Sequence, residues 1–168
     1  MMYAHDVLTV LTMLKTAGVS VWLDGGWGID ALVGKQTREH MDVDVVVLLT
    51  QADLAHGTLE KAGYRITEDE FPTRFVMQDE AGHSIDFHPI FIDEQGDGVQ
   101  QLQDSSLFHY PVNCFEGTGI IDGQAVPCID AEAQILCHSG YEPAEKDRHD
   151  LGLLGSHFQL ELPPHYQS

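Results

Sequence analysis

The run Asp42-Val43-Asp44-Val45-Val46-Val47-Leu48-Leu49-Thr50 constrains the fold more than any other segment. β-Branched side chains are stiff at χ1 and pack well on a pleated surface, so the run reads as a strand. From Val45 to Leu49 it offers water no polar face. Such a strand is buried on both sides towards its end and needs helices over its sheet. The flanking sequence supplies them. Residues 5–17 place Val7, Leu8, Leu11 and Leu14 at helical spacing and stop near Gly18. A strand over 19–24 is broken by Gly25-Gly26, and a short helix over 27–33 is stopped by Gly34. A helix over 51–63 follows. Strand-like pieces come next at 64–69, 73–79 and 83–93, then a polar loop at 93–106. A hairpin within 115–130 turns at Asp122-Gly123. Asp130 caps another helix, and a last helical stretch covers roughly 143–155. This order predicts an α/β (α+β) protein with a small mixed sheet flanked by helices. Its length suits a single domain over 1–168, with 130–158 as a C-terminal helical portion. The tail Leu162-Pro163-Pro164-His165-Tyr166-Gln167-Ser168 is expected to fray.

Residues two apart in a strand share a face, so Asp42 and Asp44 set two carboxylates side by side. Like charges that close repel, and burial sharpens the repulsion. A hard divalent cation such as Mg²⁺ relieves it; exposure to solvent is the plain alternative. The apolar residues just beyond the pair put it at the rim of the sheet, where ligands bind in α/β folds. Gly25-Gly26, between a strand and a helix, lets backbone approach a phosphate at a helix N-terminus. Asp86, in Ser84-Ile85-Asp86-Phe87-His88, is either a solvent-facing residue of an alternating strand or the third member of a metal triad. Two-metal catalysis uses such a triad, and a lone carboxylate base can replace the second ion.

Charge narrows the partners. Eight Lys+Arg oppose 27 Asp+Glu, a formal net charge of -19. A nucleic-acid binder needs a basic footprint, so DNA and RNA are not expected as partners. An acidic surface suits cationic small molecules and metal ions. The few cations therefore count. Arg38, just ahead of the aspartate pair, is the first candidate to balance a triphosphate, with Lys35 and Arg74 behind it. Lys35 equally suits a surface ion pair with Glu39 or a neighbour. His40 and His88 flank carboxylates and either orient them or the substrate, or serve as local hydrogen-bonding residues. Cys114, Cys128 and Cys137 have no metal-ligand spacing and fit reduced thiols. No secretory signal or membrane-spanning run is visible, so a cytoplasmic location and no membrane contact are expected.

Taken in order, Trp22-Leu23-Asp24-Gly25-Gly26-Trp27-Gly28-Ile29-Asp30 and Gly34-Lys35-Gln36-Thr37-Arg38-Glu39-His40-Met41-Asp42-Val43-Asp44 resemble the small lincosamide nucleotidyltransferases. The similarity continues at Asp86-Phe87-His88-Pro89-Ile90, Val126-Pro127-Cys128-Ile129 and Cys137-His138-Ser139-Gly140-Tyr141. The aminoglycoside 2''-nucleotidyltransferases look like more distant relatives. Both groups belong to the polymerase-β-like nucleotidyltransferase superfamily. The resemblance implies Mg²⁺, as two ions, held by Asp42 and Asp44, with Asp86 as third ligand or base. It implies a nucleoside triphosphate (NTP) donor with Gly25, Gly26, Trp27, Lys35 and Arg38 on the nucleotide side. It places His88 and Tyr141 on the acceptor side and implies release of pyrophosphate. The acceptor it suggests is a sugar hydroxyl of lincomycin or clindamycin. Trp27 stands where the wider superfamily usually has Ser or Thr, a change the antibiotic-modifying groups share. The strand after the aspartate pair is less acidic than in the lincosamide group. Aminoglycoside adenylylation, an antitoxin-like partner protein and an inactive metal-binding relative remain the alternatives, and the small domain favours a homodimer to wall its acceptor pocket.

Overall fold

Alternation along three strands divides the sheet into two unlike faces. The structure is a computed structural model and describes residues 1–166. Strand β2 (Asp42–Leu48) turns Val43, Val45 and Val47 into one core, together with Leu23 of β1 (Val21–Asp24) and Ile85 and Phe87 of β5 (Ser84–Ile92). Helices α1 (Ala4–Thr16) and α3 (Ala52–Lys61) cover that core through Val7, Val10, Leu14, Ala55 and Leu59. On the opposite face Val46 and Ile90 join a second core, capped by Ile129 and by Ala133 of α4 (Ala131–Cys137). The same face carries Asp24, Asp44, Asp86 and His88 at its other end. One sheet face is therefore half core and half site.

The sheet is mixed. β1 and β2 are antiparallel, β2 and β5 parallel, and β5, β4 (Arg74–Gln78) and β3 (Arg65–Glu70) antiparallel, in the order β1-β2-β5-β4-β3. The end of β5 continues into β6 (Gly98–Gln101) and β7 (Leu107–His109). The segment 93–106 is therefore not wholly a loop. β6 reads Gly98-Val99-Gln100-Gln101, whose polar residues hide a strand in the sequence. Gln100 is nonetheless buried, donating to Thr73 O at 3.0 Å and accepting from the Tyr110 hydroxyl at 3.2 Å.

Helix α2 (Gly25–Val33) begins two residues before the sequence expectation, so the glycine pair is its first turn rather than a break before it. Asp24 caps it, accepting from Gly25 N at 2.6 Å. Gly34 closes it in the left-handed region, at φ 76°. The hairpin of β8 (Thr118–Ile121) and β9 (Gln124–Pro127) turns at Asp122-Gly123 as expected and lies against α2. There Gly119 meets the Ala31 backbone so closely that a Cβ has no room. Helix α5 (Glu145–Phe158) packs on α2 and α4 through Leu151 and Leu154. The tail departs from the fraying expectation. Leu160 and Leu162 pack against that core, and the Tyr166 hydroxyl donates to His138 O at 2.8 Å; Gln167 and Ser168 lie outside the described residues. At the other end Met2 is fully buried, and its N–H donates to His40 O at 2.9 Å. Among the described residues no helix is long and apolar enough to cross a membrane.

Candidate active site

Three aspartates stand in one row across three strands. Asp24 pairs with Asp44 in the β1–β2 register, and Asp44 pairs with Asp86 in the β2–β5 register. Asp42 lies two residues earlier on the face of Asp44, opposite Ser84, and is exposed. The structure thus brings Asp86 beside Asp44 and leaves Asp42 at the rim. The row runs into the first turn of α2. Gly25 has φ 57°, and a side chain there would collide with the Asp44 carboxylate. A Cβ on Gly26 would collide with His40 and Arg38. Only glycine admits this approach of a helix N-terminus to the aspartate row.

The row is electrostatically tense. Burial pushes the Asp24 carboxyl up; Asp44 adds to this and His88 opposes it. Partial desolvation at the rim also raises Asp42, helped by repulsion from Asp44 and opposed by Lys146. Asp44 is itself held low: burial works against its charge, but a hydrogen bond and the charge of His88 outweigh it. His88 is correspondingly raised to about 9: burial pulls it down, and Asp44, Asp86 and Asp24 more than compensate. His88 Nε2 stands 3.5 Å from Asp44 Oδ1 and 3.9 Å from Asp86 Oδ1, between the two carboxylates rather than on a side wall. Ligand atoms of Asp44, Asp86 and His88 all lie within 4.8 Å of one another. The oxygens of Asp44 and Asp86 suit a hard divalent ion, which would take the place of the His88 proton as their counter-charge.

Three Lys and Arg side chains line the cleft, and they differ in freedom. Arg74 is committed to the row: Nη2 donates to Asp86 Oδ2 at 2.8 Å and Nε to Oδ1 at 3.3 Å, while Nη1 reaches Glu68. Arg38 is committed to α5: Nε donates to Asp150 Oδ1 at 2.9 Å and Nη2 to Oδ2 at 2.6 Å. Lys146, at the start of α5, makes no ion pair among the described residues, and its charge is felt at Asp42 and Asp44. Lys35 follows the Gly34 cap at the far end of α2 and is not among the cleft residues. Trp27 is buried against His40, also away from the cleft. Beneath the glycine turn, His40 Nε2 and Asp30 Oδ2 are 2.5 Å apart with both side chains buried, and Thr37 donates to Asp30 Oδ1 at 2.6 Å.

The cleft above the row encloses about 1130 Å³. One end is walled by Gln100, Phe108 and Tyr110 of the β6–β7 extension; His138 and Tyr141 come from the connection between α4 and α5. Asp24 and Lys146 are the site residues that sequence reasoning passed over. Asp24 was readable as the cap immediately before the glycine pair, and Lys146 as one of only eight Lys and Arg residues in the chain. Gln100 had no such signal. Burial pushes the Cys114 and Cys128 thiols up to about 12, and holds that of Cys137, which lines the cleft, well above its usual value.

Residues 6–154 match the sequence model of the family described as aminoglycoside-2''-adenylyltransferase. The chain belongs to that family. Within its wider circle, a lincosamide resistance protein of Staphylococcus haemolyticus is 34% identical over 151 residues, covering 90% of this chain and 93% of the relative. A 2''-aminoglycoside nucleotidyltransferase of Klebsiella pneumoniae is 27% identical over 128 residues, covering 75% of this chain and 67% of the relative. The crystal structure of a lincosamide antibiotic adenylyltransferase with lincomycin bound superposes with TM-score 0.80 at 33% identity, covering 90% of this chain and 96% of that one. The aminoglycoside enzyme ANT(2'')-Ia, in complex with adenylyl-2''-tobramycin, shares the fold at TM-score 0.74 and 19% identity, over 92% and 88% of the two chains. The family's nucleotidyltransferase fold is thus the fold of this chain.

Proposed function

We propose that the protein transfers a nucleoside monophosphate from an NTP to a hydroxyl of a lincosamide antibiotic, releasing pyrophosphate. The observation that carries the reading is the Asp24-Asp44-Asp86 row meeting the glycine turn of α2. The acceptor class rests on the relative named for lincosamide resistance and on the lincomycin-bound neighbour.

Asp44 and Asp86, with Asp42 at the rim, would hold Mg²⁺, as one or two ions. Bound there, Mg²⁺ supplies charge neutralisation to the phosphates and polarises the α-phosphate. The chain's own groups do the rest. The N-terminus of α2 at Gly25-Gly26, whose Gly25 N–H is already held by Asp24, would face the phosphates, and Lys146 meets their charge from α5. The acceptor oxygen attacks the α-phosphorus in line, its O–P bond forms, and the bond to the pyrophosphate oxygen breaks. Asp86 takes the hydroxyl proton. Its Oδ2 is held by Arg74, which aims the carboxylate. Rate comes from positioning and electrostatics. Tyr141 belongs to the acceptor wall. A homodimer completing that wall and a cytoplasmic location, with the thiols reduced, belong to the same reading.

The test is incubation with Mg²⁺, ATP and a panel of lincosamides and aminoglycosides, followed by mass spectrometry. A lincosamide heavier by one AMP moiety, lost on chelating the metal, is the expected outcome. An adduct on aminoglycosides alone would reassign the acceptor, a second reading favoured by the 27% identical relative. No adduct with any acceptor or nucleotide would refute the reading.

A further inference from the structure

We propose that the Arg38–Asp150 pair is a positioning clamp that sets Lys146 over the phosphate seat, rather than Arg38 being itself a phosphate ligand. The inference rests on the nucleotide-binding reading above. Its basis is a contrast between the two cations at this end of the cleft. Arg38 lies close enough to Gly26 that a Cβ would strike its guanidinium, so it borders the seat. Yet two of its nitrogens are bonded to both oxygens of Asp150, whose side chain is only 3% exposed. Its remaining Nη1 donates to Glu39 O at 3.1 Å. A planar guanidinium forked on a buried carboxylate is a fixed joint. Lys146 lies four residues before Asp150 on the same helix, one turn away, and lines the same cleft.

A second contact holds the same joint. His149 Nε2 stands 3.3 Å from Thr37 Oγ1, and Thr37 donates to Asp30, the partner of His40 below Gly26. Segment 37–40 is therefore fastened on one side to α5 and on the other to α2. Helix α5 comes from the C-terminal portion of the chain and Gly25-Gly26 from the first strand–helix unit. Among the described residues, Arg38–Asp150 is the ion pair that ties α5 to the connection running beside Gly26. Without it the first turn of α5 has less to hold it at the distance a phosphate requires, and Lys146 with it.

A double-mutant cycle on the full chain tests this. Binding of a non-hydrolysable ATP analogue with Mg²⁺ is measured by calorimetry for wild type, Asp150→Asn, Lys146→Ala and the pair, with far-UV circular dichroism as the check on folding. Asp150→Asn should weaken the analogue about tenfold. In the Lys146→Ala background it should change binding less than about twofold, because the residue acts through Lys146. Asp150→Glu, which keeps the carboxylate, should recover most of the loss. Should Asp150→Asn tighten binding, Arg38 is a phosphate ligand that Asp150 sequesters, and the clamp is overturned. Equal losses in both backgrounds overturn it too. If the wild type binds no analogue while the circular dichroism is native, the nucleotide reading itself fails, and the clamp fails with it.

Discussion

The acids that the fold draws inward are of two kinds. On β1, β2 and β5, Asp24, Asp44 and Asp86 stand shoulder to shoulder, and the charges near them raise some and lower others. On the helices each buried acid has its own partner. Asp30 holds His40, Asp150 holds Arg38, and Asp147 accepts from Ala144 N at the start of α5. Asp44 and Asp86 are half-buried, but burial alone does not separate the two groups, since Asp24 and Asp147 are both under a tenth exposed. What separates them is sharing: each helix acid has a partner of its own, whereas the three strand acids crowd around His88 and Arg74. A carboxylate with its own partner is a joint; a crowded row leaves work for a ligand.

The contrast is sharpest if activity and stability come apart. Asp42→Asn should cut kcat/KM by about 10³ or more and leave the melting temperature unchanged or higher, because partial desolvation and the neighbouring Asp44 both disfavour the Asp42 charge. A pyrophosphate-release assay beside a thermal melt checks both halves. The reverse is expected of Asp30→Ala, which should cost about 3 kcal/mol in urea unfolding, since it strands His40 in the interior. A smaller loss, about 1 kcal/mol, is expected for Asp147→Ala, whose carboxylate caps α5. If Asp30→Ala proved as stable as wild type, the division between joints and row would fail.

Much of this was readable in the sequence, for a physical reason. Asp42-Val43-Asp44-Val45-Val46-Val47 announces its strand by composition and its charged end by position. The Asp122-Gly123 turn announces itself by the positive φ that both residues adopt, 46° and 77°. The partnerships were not readable. Nothing local to Arg38 reveals that its carboxylate lies 112 residues away at Asp150. Gln100 looks like a loop residue because its burial depends on Thr73 and Tyr110, which only the fold brings to it. Chemistry carried by neighbours within one strand is visible in a sequence; chemistry carried by pairing across the fold is not.

The mildest expected effect lies far from the cleft. Asp79 is slightly buried, which opposes its charge, but backbone N–H groups and the His83 ring hold its carboxyl below the usual value. A folded-state value below the unfolded one adds stability above about pH 4, and this is lost as pH falls through the depressed value. Asp79→Ala should therefore be less stable than wild type by about 1 kcal/mol at pH 6, with the gap closing under acid conditions in urea titrations. A gap that stayed constant with pH would mean that Asp79 acts through shape rather than charge.

Both extremities of the described chain are stitched to the walls of the cleft, Met2 through His40 O and Tyr166 through His138 O. An affinity handle fused close to either one therefore pulls on a thread that runs to the reaction chamber. Kinetic work on this enzyme is best done with a long spacer, or with the handle cleaved away.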